Sequence, residues 1–331
     1  MERAADSPLT SGRAPESPAS VAEPLYGGIE GGGTKTVCAV GYSPDRVLER
    51  VVLPTSDPDS TLQRAVEFFS AAQRAHGRLA ALGVAFFGPL ELRADRPAYG
   101  RLLDTPKPGW SGADVLRSLK RHVCTQIVID TDVAAAALAE WRLGAGRDVS
   151  SLAYVTVGTG IGVGFAPDRL KDIRPFHPEA GHLPTRRAAG DAFAGVCPFH
   201  GDCLEGLASG SAIHARWGEE LRALPVDHPA YRLIGGYLGR LAASIALLAP
   251  VERIVFGGGV LADGRMLPFI RSAARDCLGG YHAALDDTAA MDLYIGSPAL
   301  GDRAGIAGAL LLATDAWARC GTGCEGQNPR R

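Results

Sequence analysis

Apolar positions along the chain fall in short runs separated by glycine, a spacing that predicts alternating strands and helices. Tyr26 to Glu30 and Lys35 to Val40 read as strands joined by Gly31-Gly32-Gly33. Leu82 to Phe87 is a third apolar run ending in Gly88-Pro89, and Ile127-Val128-Ile129 is a fourth, closed by Asp130 and Asp132. An alanine-rich helix, Val133 to Trp141, follows directly. The alternation then restarts with Leu152 to Val157, a glycine turn, and Ile161 to Phe165. A long helix from Pro229 to Leu248 leads to the strand Ile254-Val255-Phe256, then Gly257-Gly258-Gly259 and a helix starting near Arg265. Ala304 to Trp317 is the last helix. Two βββα-type halves, each opening on a glycine-turned hairpin, predict a duplicated α/β architecture with a cleft between them. Residues 94–112, with Pro97, Pro106 and Pro108, read as loop, and 177–206, rich in His and Cys, as an insertion.

Length changes this picture little: 331 residues suit about two domains at roughly 150 residues each. Glycine does change it. There are 42 glycines among 331 residues, nearly twice the usual ~7%, and no G-X-Y period, so they mark turns or close backbone approaches. With 34 basic and 36 acidic side chains the chain has no net field to draw nucleic acid or an anionic membrane. No apolar run approaches the ~18–20 residues of a membrane span. Residues 1–24, rich in Ala, Ser and Pro, lack a signal peptide's apolar core and read as a disordered extension. Seven cysteines, an odd number, argue against a fully paired secreted framework and for a reducing cytoplasm.

Three glycine loops and two side-chain groups carry candidate chemistry. Gly31-Gly32-Gly33-Thr34-Lys35 follows a strand ending in Glu30; it is either a plain hairpin turn or a backbone cradle for phosphate. Its order, Gly-Thr-Lys, excludes a Walker A loop. Gly158-Thr159-Gly160 repeats the glycine–threonine pairing after a second strand, and Gly257-Gly258-Gly259 closes a third. The string Gly321 to Gly326 fits G-x-G-x-x-G but has neither strand before it nor helix after it, so it is a chance match. Asp132, at a strand end before a helix, reads equally as an N-cap or as a general base. Cys197, His200 and Cys203 fall at three-residue intervals, with His182 upstream. They are either two buried thiols beside a surface histidine or, with four protein ligands, a structural zinc site.

The segment Gly28-Ile29-Glu30-Gly31-Gly32-Gly33-Thr34-Lys35 resembles the opening of the ROK family (repressors, open reading frames, sugar kinases), and the resemblance runs from about residue 26 to 318. It implies a two-lobed actin/hexokinase-like ATPase (ribonuclease H-like) fold with a zinc-binding insertion. The two hairpins and the strand–Gly₃ element would then hold ATP through Gly32, Gly33, Thr34, Lys35, Gly158, Thr159, Gly160, Gly258 and Gly259. Glu30 would face Mg²⁺, through water. The family pattern acid–Asn–Asp–x–Asn–Ala–Ala, with the central Asp as base, aligns with Asp130-Thr131-Asp132-Val133-Ala134-Ala135-Ala136. Asp132 matches the base, whereas Thr131 and Ala134 replace both asparagines, which puts the sugar preference in question. His177-Pro178-Glu179-Ala180-Gly181-His182 matches the family's Glu–x–Gly–His sugar segment. The implied zinc ligands are His182, Cys197, His200 and Cys203, with His200 in place of a family cysteine.

Several strings look like the fructokinase branch: Phe87-Gly88-Pro89-Leu90, Thr105-Pro106-Lys107-Pro108-Gly109-Trp110, and Cys197 to Gly206 with Ser209-Gly210. Gly88, Pro89 and Thr105 would join Asp132, Glu179 and His182 on the sugar side; Trp110 reads as a core anchor. The expectation is an ATP-dependent fructokinase making fructose 6-phosphate from a hexose and MgATP, with structural Zn²⁺, as a cytoplasmic homodimer without nucleic-acid or membrane partners. The alternatives are a ROK kinase for glucose, mannose or an N-acetylhexosamine, and a non-catalytic sugar-sensing ROK protein. A repressor would need an N-terminal helix-turn-helix that residues 1–24 cannot supply. The implied division is 1–24 extension, 25–133 plus 304–319 small lobe, 134–303 large lobe with the zinc module at about 177–206, and 320–331 flexible tail.

Overall fold

A computed structural model describes residues 23–123, 125–168 and 177–321. Most of the expected 1–24 extension, Cys124, and the tail after 321 with Cys324 and the rest of the G-x-G-x-x-G string lie outside the described residues. Strands β1 (Leu25–Gly31), β2 (Lys35–Ser43), β3 (Arg46–Pro54), β4 (Leu79–Phe86) and β5 (Gln126–Thr131) form one sheet in the order β3-β2-β1-β4-β5. Strands β6 (Leu152–Val157), β7 (Ile161–Ala166), β8 (Arg253–Gly257) and β9 (Ile295–Gly296) form a second, ordered β7-β6-β8-β9. Each sheet combines an antiparallel hairpin with parallel neighbours: β1 pairs β2 antiparallel and β4 parallel, while β6 pairs β7 antiparallel and β8 parallel. The duplication read from the hairpins is therefore present. Among the described residues, the second sheet has no counterpart of β3.

The pattern reading left the stretch between Val40 and Leu82 without an element, and β3 and helix α1 (Pro58–His76) fill it. Strand β3 is an edge strand whose alternate residues are only half-buried, so it carries no apolar run to notice. Helix α1 starts where Asp57 accepts the Ser60 N–H at 2.9 Å, with Pro58 in the first turn. It buries Leu62, Ala65, Val66, Phe69 and Ala72 on one face. Helix α2 (Val115–Lys120) packs with it on the first sheet. Helix α3 (Asp132–Leu143) follows β5. On the second sheet lie α4 (Leu204–Ala208), α5 (Gly210–Trp217), α6 (Pro229–Leu248), α7 (Leu267–Leu278) and α8 (Thr288–Tyr294). The helix expected near Arg265 thus begins two residues later, behind Pro268 in its first turn.

Helix α9 (Ala304–Gly321) lies against β1 and β4, and α3 lies between α9 and β6–β7, so the two sheets join through a two-helix layer. Glycine makes these layers close. A Cβ on Gly83 of β4 would overlap the Ala309 carbonyl of α9, one on Gly308 of α9 the Ala135 carbonyl of α3, and one on Gly164 of β7 the Val133 carbonyl of α3. Overpacking a site walled by backbone leaves nothing free to yield. Gly83→Ala should therefore cost about 3 kcal/mol or more in chemical denaturation. Gly33→Ala, whose new methyl has nothing within 4 Å, should leave the denaturation midpoint in place.

Candidate active site

The C-terminal ends of β1, β5, β6 and β8 open into one cleft, the location where open α/β sheets place chemistry. A cavity of about 410 Å³ is lined by Glu30, Lys35, Asp132, Tyr154, Gly258 and Asp302, among others. Across Gly259 it meets a second cavity of about 650 Å³ lined by Gly158, Thr159, Ser211 and His214. Gly258 has φ 92°, a conformation that disfavours side chains, and a Cβ there would overlap the Val157 carbonyl. Gly160 lies against Glu205, while Gly158 and Gly259 have no atom within 4 Å of a Cβ position. Lys35 reaches the first cavity. Gly32, Gly33 and Thr34 sit at the tip of the β1–β2 turn and do not line either cavity.

Asp132 is not the cap of α3. That role belongs to Thr131, whose Oγ1 accepts the Ala134 N–H at 3.2 Å. Asp132 is the first helical residue; its Oδ1 accepts the adjacent Val133 N–H at 2.8 Å, and the residue lines the first cavity. Burial pushes its carboxyl up to about 6, against the opposing pull of the Val133 N–H. Glu30 is pushed up to about 7, first by burial and then by Asp132. Its Oε2 is buried without a hydrogen-bond partner, and its carboxyl rests on Gly305 at the start of α9, where a Cβ would overlap it. An orphaned carboxylate oxygen among other acids fits a cation.

Glu179 lies near Asp132, outside the lining of the two cavities. Burial, then Asp132, then Glu205 push its carboxyl up to about 7, although 43% of its side chain meets solvent. Gly88 adjoins it: its Cβ position is 3.5 Å from Glu179 Oε1. Thr105 is tied into its own turn, donating its N–H to Ser111 Oγ at 3.1 Å. Among the described residues no hydrogen bond joins it to Asp132 or Glu179. Trp110 is core as expected, fully buried against Phe86 and Phe87, with Nε1 donating to the Ser56 carbonyl at 2.7 Å.

The His/Cys residues converge. Cys197 Sγ is 3.5 Å from His182 Nδ1 and 3.7 Å from His200 Nδ1, and Cys203 Sγ is 3.6 Å from His182 Nδ1. All four ligand atoms lie within 4.8 Å of one another. A tetrahedral zinc with ordinary bond lengths sets sulfur and nitrogen about 3.6 Å apart, so the set fits that ion. The loop is shaped for it locally: Gly201, at φ 64°, closes a tight turn with Cys197, and Cys203 caps α4. A buried ion pair anchors the segment to the second sheet's helices. Arg216 holds Asp191 at 2.7 and 2.8 Å and Tyr237 donates to it at 2.5 Å, which keeps the Asp191 carboxyl far below the usual range.

Two residues escaped the sequence reading. Glu205, just after Cys203, accepts the Ile161 N–H at 2.9 Å and lies 3.9 Å from His182 Nε2, so it links the metal-ligand cluster to the β6–β7 turn. Its signal was its place two residues after Cys203 of the His/Cys run. Glu140, fully buried on α3, accepts N–H groups from Ala145, Ala299 and Leu300 at 2.8 to 3.0 Å. It thereby holds the 297–300 loop, whose Ser297 and Pro298 line the first cavity.

Known proteins resemble the chain along most of its length. The sequence profile of the ROK family matches residues 26–316. A fructokinase of Zymomonas mobilis is 40% identical over 293 residues, covering 87% of this chain and 96% of the relative. A fructokinase of Pediococcus pentosaceus is 36% identical, covering 87% and 97%. The crystal structure of a ROK hexokinase from Thermus thermophilus superposes with a TM-score of 0.65 at 26% identity, covering 89% of this chain and 99% of that one. The fold is accordingly the actin/hexokinase-like ATPase fold. With its paired hairpins, strand-end aspartate and His/Cys insertion in place, the chain belongs to the ROK family.

Proposed function

We propose that the chain is an ATP-dependent fructokinase, transferring the γ-phosphoryl group of MgATP to the 6-hydroxyl of D-fructose. The observation that carries this is the position of Asp132, a carboxylate that lines the first glycine-edged cavity and lies near Glu179. Its carboxylate takes the proton of the attacking hydroxyl. As the new O–P bond forms, the bond from phosphorus to the bridging oxygen breaks and ADP leaves. Backbone N–H groups around Gly158 and Gly258 and the ammonium of Lys35 oppose the phosphate charge. Glu30 would hold Mg²⁺, which supplies countercharge when bound. His182, Cys197, His200 and Cys203 would hold zinc, which fixes the 177–206 loop.

The hexose side rests on Glu179, whose carboxylate suits sugar hydroxyls because buried hydroxyls need partners. In this reading 25–133 with 304–319 forms the small lobe and 134–303 the large one; their closure excludes water that would otherwise hydrolyse ATP. The reading also takes the protein as a cytoplasmic homodimer. Cys38, Cys197, Cys203, Cys277 and Cys320 form no disulfide, which suits a reducing compartment. Among the described residues no helix is long and apolar enough to cross a membrane.

A coupled ADP-release assay over fructose, glucose, mannose and N-acetylhexosamines tests the proposal. Fructose should give the highest kcat/KM, by about tenfold or more. A higher value for another hexose would reassign the substrate, and hexose binding without turnover would make the protein a sensor.

A further inference from the structure

We propose that His177 and Thr131 form a positioning pair that sets the hexose preference of this site by fixing Glu179 relative to Asp132. This rests on the reading of the cleft as a hexose site.

The two side chains meet inside the protein. His177 is 6% exposed and Thr131 2%. His177 Nε2 lies 3.0 Å from Thr131 Oγ1, and its Nδ1 lies 3.9 Å from Glu179 Oε1. Thr131 is the last residue of β5 and immediately precedes Asp132. The imidazole therefore lies between the strand end that precedes Asp132 and the Glu179 carboxylate.

A threonine hydroxyl has one proton and two lone pairs, and Oγ1 already accepts the Ala134 N–H, so the same hydroxyl serves the cap of α3 and the His177 ring. His177 and Glu179 are two residues apart, so holding the ring on Thr131 also holds the short stretch of backbone that carries Glu179.

The consequence for specificity follows from what residues 131 and 134 no longer offer. An asparagine at either position would present amide hydrogens and a carbonyl to a sugar. Here Thr131 spends its hydroxyl on Ala134 and His177, and Ala134 has no polar side-chain atom. Recognition here passes to Glu179, whose place is set by His177 on one flank and Gly88 on the other.

Calorimetric binding of fructose and glucose without nucleotide tests this, read beside KM and kcat. His177→Ala and Thr131→Val should each weaken fructose about tenfold, with the loss falling on KM more than on kcat. The double variant should bind no worse than the weaker single one, because each change breaks the same link. Thr131→Ser, which keeps the hydroxyl, should recover binding, and Thr131→Asn should narrow the fructose-to-glucose ratio. Unaltered fructose affinity in folded His177→Ala, fully additive losses, or a wild type that binds no hexose would overturn the proposal. A wild type that binds fructose without turning it over counts against the kinase reading alone, and the binding series still decides this one.

Discussion

Asp132→Asn should lower kcat by about 10³-fold, the loss of a positioned general base, and should leave the protein more stable than the wild type above pH 7. Asparagine keeps the acceptor for the Val133 N–H but cannot take the hydroxyl proton. The pH dependence has a definite sign. The base works only when ionised, and burial has moved its carboxyl from 3.8 up to about 6. Activity should therefore fall about tenfold per pH unit below about 6, well above where an exposed aspartate would titrate.

Stability should run the other way. A carboxyl whose folded value exceeds its unfolded one is bound to its proton more tightly in the fold, so its contribution is present below pH 4 and lost as pH rises through about 6. Removing the charge should add up to about 3 kcal/mol at pH 8, and wild type and variant should converge near pH 4. Glu30 and Glu179 are each raised partly by Asp132, so neutralising it should let both titrate lower. Thermal melts of both proteins from pH 4 to 8, beside kcat profiles, read all of this. Undiminished turnover would remove Asp132 as the base.

The same acids show how far the sequence could be read. The hairpins, the strand-end Asp130-Thr131-Asp132 and the His/Cys spacing were legible because local chemistry specifies each of them. Asp132 read as readily as a cap as a base; that Thr131 is the cap depends on where the helix begins, which local composition does not fix. The glycine excess was only partly what it looked like. Gly158 and Gly259 are open toward the cleft, but Gly27, Gly28 and Gly31 are packed on Leu82, Leu310 and Phe86. Gly83, Gly164 and Gly308 let helices touch backbone. Close packing and nucleotide access leave the same residue in the sequence. Glu140 was invisible for a related reason: its three N–H partners come from a helix end and from a loop far along the chain, which no local pattern records. Strand β3, with half-exposed alternate positions, lacked the apolar run that marked the buried strands.

If the His/Cys cluster holds zinc as proposed, its loss should damage the proposed sugar side of the site more than the nucleotide side. The purified protein should contain about one zinc per chain by emission spectroscopy, since His182, Cys197, His200 and Cys203 make a closed set of four. Cys197→Ser with Cys203→Ser should abolish that stoichiometry. His182 is three residues beyond Glu179, and the turn Ala180–His182 lies between them. Gly181 is pressed on the Ile161 carbonyl, where a Cβ would overlap, so the turn between Glu179 and His182 packs directly on the β6–β7 hairpin. Freed from the cation, this short segment retains little core of its own: Phe199 and Val196 are exposed, and Arg216 with Asp191 anchors only the middle of the loop. A displacement of about 1 Å at Glu179 is enough to cost about 10²-fold in fructose kcat/KM. The KM for ATP should change less, because Gly258 and Gly259 sit on β8 and its following turn, outside the metal-held segment. Glu205 tempers that separation, since it links the cluster to the Ile161 N–H, so a small rise in the ATP KM belongs to the expected result. Full fructose activity in a zinc-free, folded double variant would show that the four residues do not hold a structural metal that shapes the sugar site.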